Sequence, residues 1–506
     1  MSGLIAAGCA GSPGKTAEHP TQFPADKAVN DPLRFDPASY TEGTVTVDGK
    51  LINYRAYEGI TFVAKPVESY HPQWQQMNIY VPEAAYSSSD APILLRTGIG
   101  GYMPADPIEI NAEWGGELMR RALAEGYVAV SPGSRGWSST VTEPPPVPRG
   151  APPAQANAAD YIGKAPAAIV DLKAAVRYLR HNDGLIPGSA EKIITDGTSA
   201  GGALSALLGA SGNNPLYTPY LQEIGAADAR DDIFAAVCFC PITDMEHADM
   251  SYEYLYSSLN NIRRIPAGWG ADAKSMPLIS DEQKAISLSL QALYPAYLNG
   301  LALTNTINKT ALRADNITDY IKEFLKASAQ KAYNAAADKA AFRTSFSWLS
   351  FSGDTVTDID LQAHLTHVAG KTSLKTPPAF DAKGVAGAAP TYENNLFGTM
   401  MAASTNFTDF SQQMSGNSIA DEVKDRVYLM NAMNFIGNAG NTTAPNWYIR
   451  HGSIDRDTAF NIPVVLYTAL ANKGYAVDFA FAWERPHTGD YDLDEVFAWI
   501  NGKVKN

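Results

Sequence analysis

Disulfides cannot hold this chain together, because its 506 residues include only three cysteines, Cys9, Cys238 and Cys240. The last two stand two positions apart on one predicted strand, where parallel side chains are poorly placed for a bridge, so both are expected as buried core thiols. Basic charge is also scarce: 39 Lys and Arg face 53 Asp and Glu, for a net charge of −14. No basic cluster exists to follow a phosphate backbone, which argues against a nucleic-acid partner. No apolar run reaches the roughly 18 to 20 residues of a membrane span, and no repeat of fixed period is present. What the chain does have is 45% hydrophobic and 10% aromatic residues, the composition of a globular protein with an extensive core.

The first residues differ from the rest. Leu4-Ile5-Ala6-Ala7-Gly8-Cys9, followed by a polar stretch to Asp26, resembles the end of a bacterial lipoprotein signal without its basic start. Residues 1–30 are therefore expected to be a signal remnant and linker, with Cys9 a candidate lipid anchor, on a secreted or envelope-attached protein.

From Thr44 to Thr97 the chain reads as strands, including Thr44–Val47, Met77–Val81 and Ile93–Leu95. After that, strand and helix alternate. A helix over Glu117–Glu125 precedes the strand Val128–Val130, and Ile169, Leu172, Val176 and Leu179 recur at helical spacing behind Pro166. The strand Ile193–Thr195, the helix Ser199–Ala210 and the strand Ala235–Phe239 follow. The rhythm returns near the end, with strands at Trp447–Arg450 and Val477–Trp483 and helices at Ile462–Lys473 and Leu493–Asn501. This alternation predicts an α/β fold, a doubly wound and mainly parallel sheet covered by helices on both faces. Between Asp244 and Asp421 the alternation is lost, leaving helical segments such as Asp319–Ala340, polar loops and a Pro/Ala/Gly-rich run from Thr376 to Pro390. The expected division is a core over 31–244 and 422–506 interrupted by a mostly helical lid domain over 245–421. The Pro-rich segment Val141–Pro153 is expected as a stiff surface loop.

Gly197-Thr198-Ser199-Ala200-Gly201 fits G-x-S-x-G, and it lies between an apolar strand and a helix of small residues. That context makes it a candidate nucleophile turn, in which a sharp bend exposes the serine oxygen above the sheet. A serine hydroxyl needs a base, and the base needs a carboxylate to orient it, in the chain order Ser, acid, His. Two late loops supply them, His451-Gly452-Ser453-Ile454-Asp455-Arg456-Asp457 and Glu484-Arg485-Pro486-His487, each after a predicted strand. His487 is the expected base and Asp455 the expected acid. His451 competes for the first role and Asp457 for the second, with Asp457 otherwise a cap for the following helix. The oxyanion needs backbone donors; Ala200, just after the nucleophile, is one, and Gly101 or Gly100 in the loop Gly98–Tyr102 is the other. His364 and His367 stand one helical turn apart with Asp358 and Asp360 upstream, but no third ligand declares itself, and a solvated face is the expected reading. No metal or cofactor is called for.

Together with Pro241–Asp244, Pro378–Asp381, Glu393–Gly398, Arg450–Gly452 and Arg485–Asp490, these motifs make the chain resemble the bacterial subtype B tannases from about residue 35 onward. Those are tannin acyl hydrolases, α/β-hydrolases with a large lid that cleave galloyl esters. The resemblance implies Ser199, Asp455 and His487 as the triad, and a phenolic ester as substrate. It also implies that Lys375, Glu393 and Asp457 contact the ring hydroxyls while Ile242 packs on the ring face. Read from the residues alone, Lys375 and Glu393 are solvated charges and Ile242 a core residue. Tyr392 stands where the family tends to have proline beneath the ring, so either stacking on Tyr392 substitutes or the pocket prefers another phenolic acid. The rivals are a feruloyl or chlorogenate esterase with the same chemistry, and a non-catalytic binding lipoprotein on the same fold.

Overall fold

Alternating inward and outward residues open the structure: in Lys50–Thr61, Ile52, Tyr54 and Ala56 are buried while Leu51 and Asn53 face outward. This computed structural model describes residues 31–144, 160–266, 276–386, 388–399, 402–416 and 418–505. The Cys9 segment and residues 145–153 of the Pro-rich loop lie outside the described residues.

The strands are β1 (Thr41–Val47), β2 (Lys50–Thr61), β3 (Gln76–Pro82), β4 (Ile93–Arg96), β5 (Val128–Pro132), β6 (Ile193–Thr198), β7 (Ala235–Phe239), β8 (Leu349–Ser352), β9 (Thr355–Ile359), β10 (Asn446–Gly452) and β11 (Ala476–Ala482). Nine of them form one sheet in the order β1-β2-β3-β5-β4-β6-β7-β10-β11. The pairings are antiparallel from β1 to β5 and parallel from β5 to β11. The predicted α/β architecture is therefore the observed one. The longest strand, β2, is an addition to it. Its sequence signal is Asp48-Gly49, which carries φ values of 48° and 76° and closes the two-residue hairpin that a right-twisted strand pair favours.

Helices Ala167–His181 and Ala200–Ala210 carry almost wholly buried residues, as expected for helices pressed on a sheet that is buried on both faces. The stretch between β7 and β10 is mostly helical, with helices such as Met245–Tyr256, Asp281–Gly300, Ile317–Ala335 and Leu361–Thr372. The expected single helix over Asp319–Ala340 is instead two, Ile317–Ala335 and Lys339–Ser345, because Asp338 caps the second by accepting from the Ala341 amide. The stretch also contains the antiparallel hairpin β8–β9, which the helical reading did not foresee. Phe324, on Ile317–Ala335, meets Phe479 of β11 at 5.0 Å between ring centroids, so the insertion covers the edge of the sheet.

One buried charge network fixes the loops behind the nucleophile. Asp171, fully buried, accepts from the Arg135 backbone and guanidinium at 2.8 to 2.9 Å and from Gln75 at 2.9 Å. The turn that carries Arg135 holds the Gly98–Tyr102 loop, since Trp137 donates from its indole to the Gly101 carbonyl at 2.9 Å and from its backbone to the Tyr102 carbonyl at 3.0 Å. Removing one partner of a buried ion pair strands the other charge. Asp171→Ala is thus expected to lower unfolding free energy by about 3–5 kcal/mol in urea titrations followed by circular dichroism.

Candidate active site

The parallel strands β4, β6, β7, β10 and β11 are neighbours and end on one edge of the sheet, so the loops that follow them meet there. After β4 comes the Gly98–Tyr102 loop, after β6 Ser199, after β7 Ile242, after β10 Asp455 and after β11 His487.

Ser199 sits at φ 61° and ψ −122°, a strained conformation at the head of the helix Ala200–Ala210. The flanking glycines permit it by close approach: a Cβ on Gly197 would lie 2.3 Å from the Gly201 carbonyl oxygen, and one on Gly201 would lie 2.8 Å from that of Ile99. The Ser199 amide is held by the Phe239 carbonyl at 2.9 Å. Ala200, as the first helical residue, has an amide without an intrahelical acceptor.

The His487 Nδ1 donates to Asp455 Oδ2 at 2.7 Å. Asp455 is fully buried, and its Oδ1 accepts from the amides of Asp457 and Thr458 at 2.7 and 3.3 Å. Their two loops are tied together by backbone bonds, from the Ser453 amide to the Ala482 carbonyl (2.9 Å) and from the Ile454 amide to the Arg485 carbonyl (3.1 Å). Burial opposes charge on Asp455, yet the His487 imidazole beside it outweighs that and holds the carboxyl below the usual carboxylate range. Burial likewise opposes charge on His487, and the Asp455 carboxylate outweighs it, leaving the imidazole well above its ordinary value. His451 is the weaker candidate by position. It lies fully buried behind Asp455, donates to the Thr458 carbonyl at 3.2 Å, and is pushed down by burial.

Ser199, His487, Ala200, Gly100, Gly101, Ile242, Lys375, Tyr392, Glu393 and Asp457 all line one cleft of about 730 Å³. Asp455 stands behind its wall. Lys375 and Glu393 correct the reading from the residues alone, since both are buried. The Lys375 backbone bridges to Ile265, and its amide donates to the Tyr252 hydroxyl at 3.0 Å, which aims the ammonium inward. That ammonium donates to the Asp457 carbonyl at 2.9 Å, lies 3.8 Å from the Asp457 carboxylate, and rests over the Phe380 ring. Burial raises the Glu393 carboxyl despite the opposing charge of Lys375. Tyr392 and Glu393 begin a five-residue helix capped reciprocally by Thr391 and Asn394. Lys164 anchors the far end of that helix by donating to the Asn395 carbonyl at 2.9 Å. Tyr392 stacks on Trp137 at 6.0 Å between centroids. Asp457 does not cap the next helix, whose start has no side-chain cap bond.

The solvated reading of His364 and His367 is overturned. His364 is fully buried and donates from Nε2 to the Ser453 carbonyl at 2.8 Å, and burial pushes it down to about 4. His367 pairs with Glu484 at 2.8 Å. Both brace the loops that carry Asp455 and His487. Cys238 and Cys240 are buried free thiols, as expected, and Cys240 lies just past the end of β7. Among the described residues, Asp244, Glu246 and His247 also gather ligand-type atoms within 4.8 Å. They are mutually satisfied, with His247 on Asp244 at 2.7 Å and Asn431 donating to both carboxylates.

Other cleft residues carry no motif of their own in the sequence: Arg456, Arg96 and Trp114. Arg456 stands inside the His451–Asp457 motif, so its place beside the acid was the available signal. Arg96 ends β4 and Trp114 lies beyond it, with no spacing pattern to mark either.

Comparison with known proteins adds an independent finding. The BD-FAE family model matches residues 160–266. No curated protein matches the chain. Among solved structures, a tannin acyl hydrolase from Lactobacillus plantarum superposes with a TM-score of 0.81 at 36% identity, over 93% of this chain and 99% of that one. A Fusobacterium nucleatum tannase gives 0.81 at 38% identity over 93% and 99%. A tannin acyl hydrolase in complex with ethyl gallate gives 0.80 at 36% over 93% and 98%.

The Asp455–His487 pair generates a pH prediction. A base must be neutral to act, so kcat/KM should rise with pH along a limb set by His487, above the ordinary imidazole value of about 6.5. In Asp455→Asn the carboxylate that favours the charged ring is gone. The limb should move to lower pH and the plateau should fall by about 10³- to 10⁴-fold, as measured by pH–rate profiles.

Proposed function

Because this chain belongs to the bacterial tannases, we propose that it is a carboxylic ester hydrolase that cleaves galloyl esters through a serine acyl-enzyme. The observation that carries this reading is the cleft itself, which Lys375, Glu393 and Asp457 line together with Ser199 and His487.

In this reading Ser199 attacks the ester carbonyl while His487 takes its proton, and Asp455 holds the imidazole in the required tautomer and offsets its charge. The amides of Ala200 and of Gly101 or Gly100 receive the oxyanion. His487 then protonates the departing alcohol, and water activated by the same imidazole releases the aromatic acid. Vicinal phenol hydroxyls donate to carboxylates and accept from an ammonium. Glu393, Asp457 and Lys375 therefore read the galloyl ring, with Ile242 and Tyr392 on its faces. A ring without those hydroxyls would leave buried charges unpaired. The insertion supplies Lys375, Tyr392 and Glu393 to the cleft wall, which supports its reading as a lid. Among the described residues no helix is long and apolar enough to cross a membrane; secretion or attachment through Cys9 is the location proposed.

Initial rates on methyl gallate, methyl ferulate and a nitrophenyl acetate test the assignment. The expected order puts methyl gallate first, and a preference for methyl ferulate would replace the galloyl reading with the hydroxycinnamoyl one. Lys375→Met should cut kcat/KM on methyl gallate by about 10- to 100-fold, the cost of a lost charged hydrogen bond. The nitrophenyl ester should be far less affected; equal losses on both would remove Lys375 from hydroxyl recognition.

A further inference from the structure

The cleft is larger than one trihydroxybenzoyl ring requires, and its lining falls into two groups by contact. At one end Gly101 abuts the Tyr392 ring, the Tyr102 hydroxyl donates to the Ile242 carbonyl at 3.2 Å, and Lys375 neighbours Asp457. At the other end Arg96, Asp106, Ile108, Gly115 and Asp490 cluster around the start of the loop after β4. A Cβ on Gly98 would lie 3.4 Å from Ile108 and 3.6 Å from the Asp106 carbonyl, and one on Gly115 would lie 3.6 Å from the Arg96 Nε. Ser199 and the His487–Gly489 segment line the same cleft, and Gly489 packs against Thr198, the residue before the nucleophile.

The second group has its own chemistry. Trp114 lines the cleft yet is 84% exposed, an uncommon state for so large an apolar surface. The next residue, Gly115, adopts φ 76° and lies close against Ile108 and Arg96. Two acceptors line the same cleft. Asp490, its side chain 23% exposed, is held by Arg96 at 2.8 Å, and Arg96 is itself held by the fully buried Asp196. Asp106 is held by His71 at 2.6 Å. A flat indole that shares its cleft with two carboxylates held by neighbouring side chains suits a ring that offers one face for stacking and hydroxyls at its edge.

We propose that Trp114, with Asp490 and Asp106, forms the subsite for the alcohol half of the ester and selects a hydroxylated ring there, whether sugar or polyphenol. This rests on the galloyl reading of the opposite end and extends it across the scissile bond. Binding energy gathered at this end holds the ester carbonyl at Ser199. Small alkyl gallates should therefore be poorer substrates than ring esters.

The test is the ratio of kcat/KM on a ring ester to that on methyl gallate, taken separately for a galloylglucose and for the gallate of a flavanol, in the wild type, Trp114→Ala and Trp114→Phe. In Trp114→Ala the ratio should fall by about fivefold or more on at least one ring ester, and which one falls identifies the ring. Trp114→Phe should restore most of it. A ratio within twofold of wild type on both ring esters would overturn the subsite while leaving the galloyl reading intact. A wild type that ignores methyl gallate in favour of methyl ferulate would fail the galloyl reading instead.

Discussion

A carboxylate and an imidazole can share a water-poor wall only if each is the other's partner, and the Asp455–His487 contact of 2.7 Å is the interaction on which the rest of this structure depends. Alone, either group would lose its charge to burial. Together each is held charged against that cost, which explains why Asp455 lies below its ordinary range and His487 above. The surrounding loops serve that pairing. His364 and His367 brace it from the insertion, and the backbone bonds between the loops after β10 and β11 keep its geometry.

The sheet makes the pairing possible. Five parallel strands that are neighbours in space but far apart in sequence deliver their following loops to one edge. The strain at Ser199 is local, and it is supported by close contacts that only glycine permits at positions 197 and 201. Lys375 and Glu393 come to the cleft from the long stretch between β7 and β10, whereas Ser199, Asp455, Asp457 and His487 stand in loops that follow strands of the sheet.

Much of this was legible in the residues. The strand and helix rhythm names the fold, and G-x-S-x-G and H-G-x-x-D mark their loops because each motif encodes a local bend. What the sequence hides is long-range charge satisfaction. Arg96 meets Asp196 and Asp490 across 100 and 394 positions, and no local pattern announces such partners. His364 reads as solvated beside its acidic neighbours, yet its helix turns that face toward Ser453 and Trp483. Strand β2 is hard to read for another reason: its turn, Asp48-Gly49, is short, and its alternation runs through charged and polar residues. Lys375 and Glu393 gained roles only through family resemblance, since burial of a charge cannot be read from its neighbours in the chain.

One serine, activated by the neutral His487 imidazole that Asp455 orients, does the chemistry. Mass spectrometry of peptides from protein inactivated by an aryl phosphonofluoridate tests it directly. The account predicts a single stoichiometric adduct on Ser199, with no labelling in Ser199→Ala. An adduct on a different residue, or full esterase activity in Ser199→Ala, would contradict it.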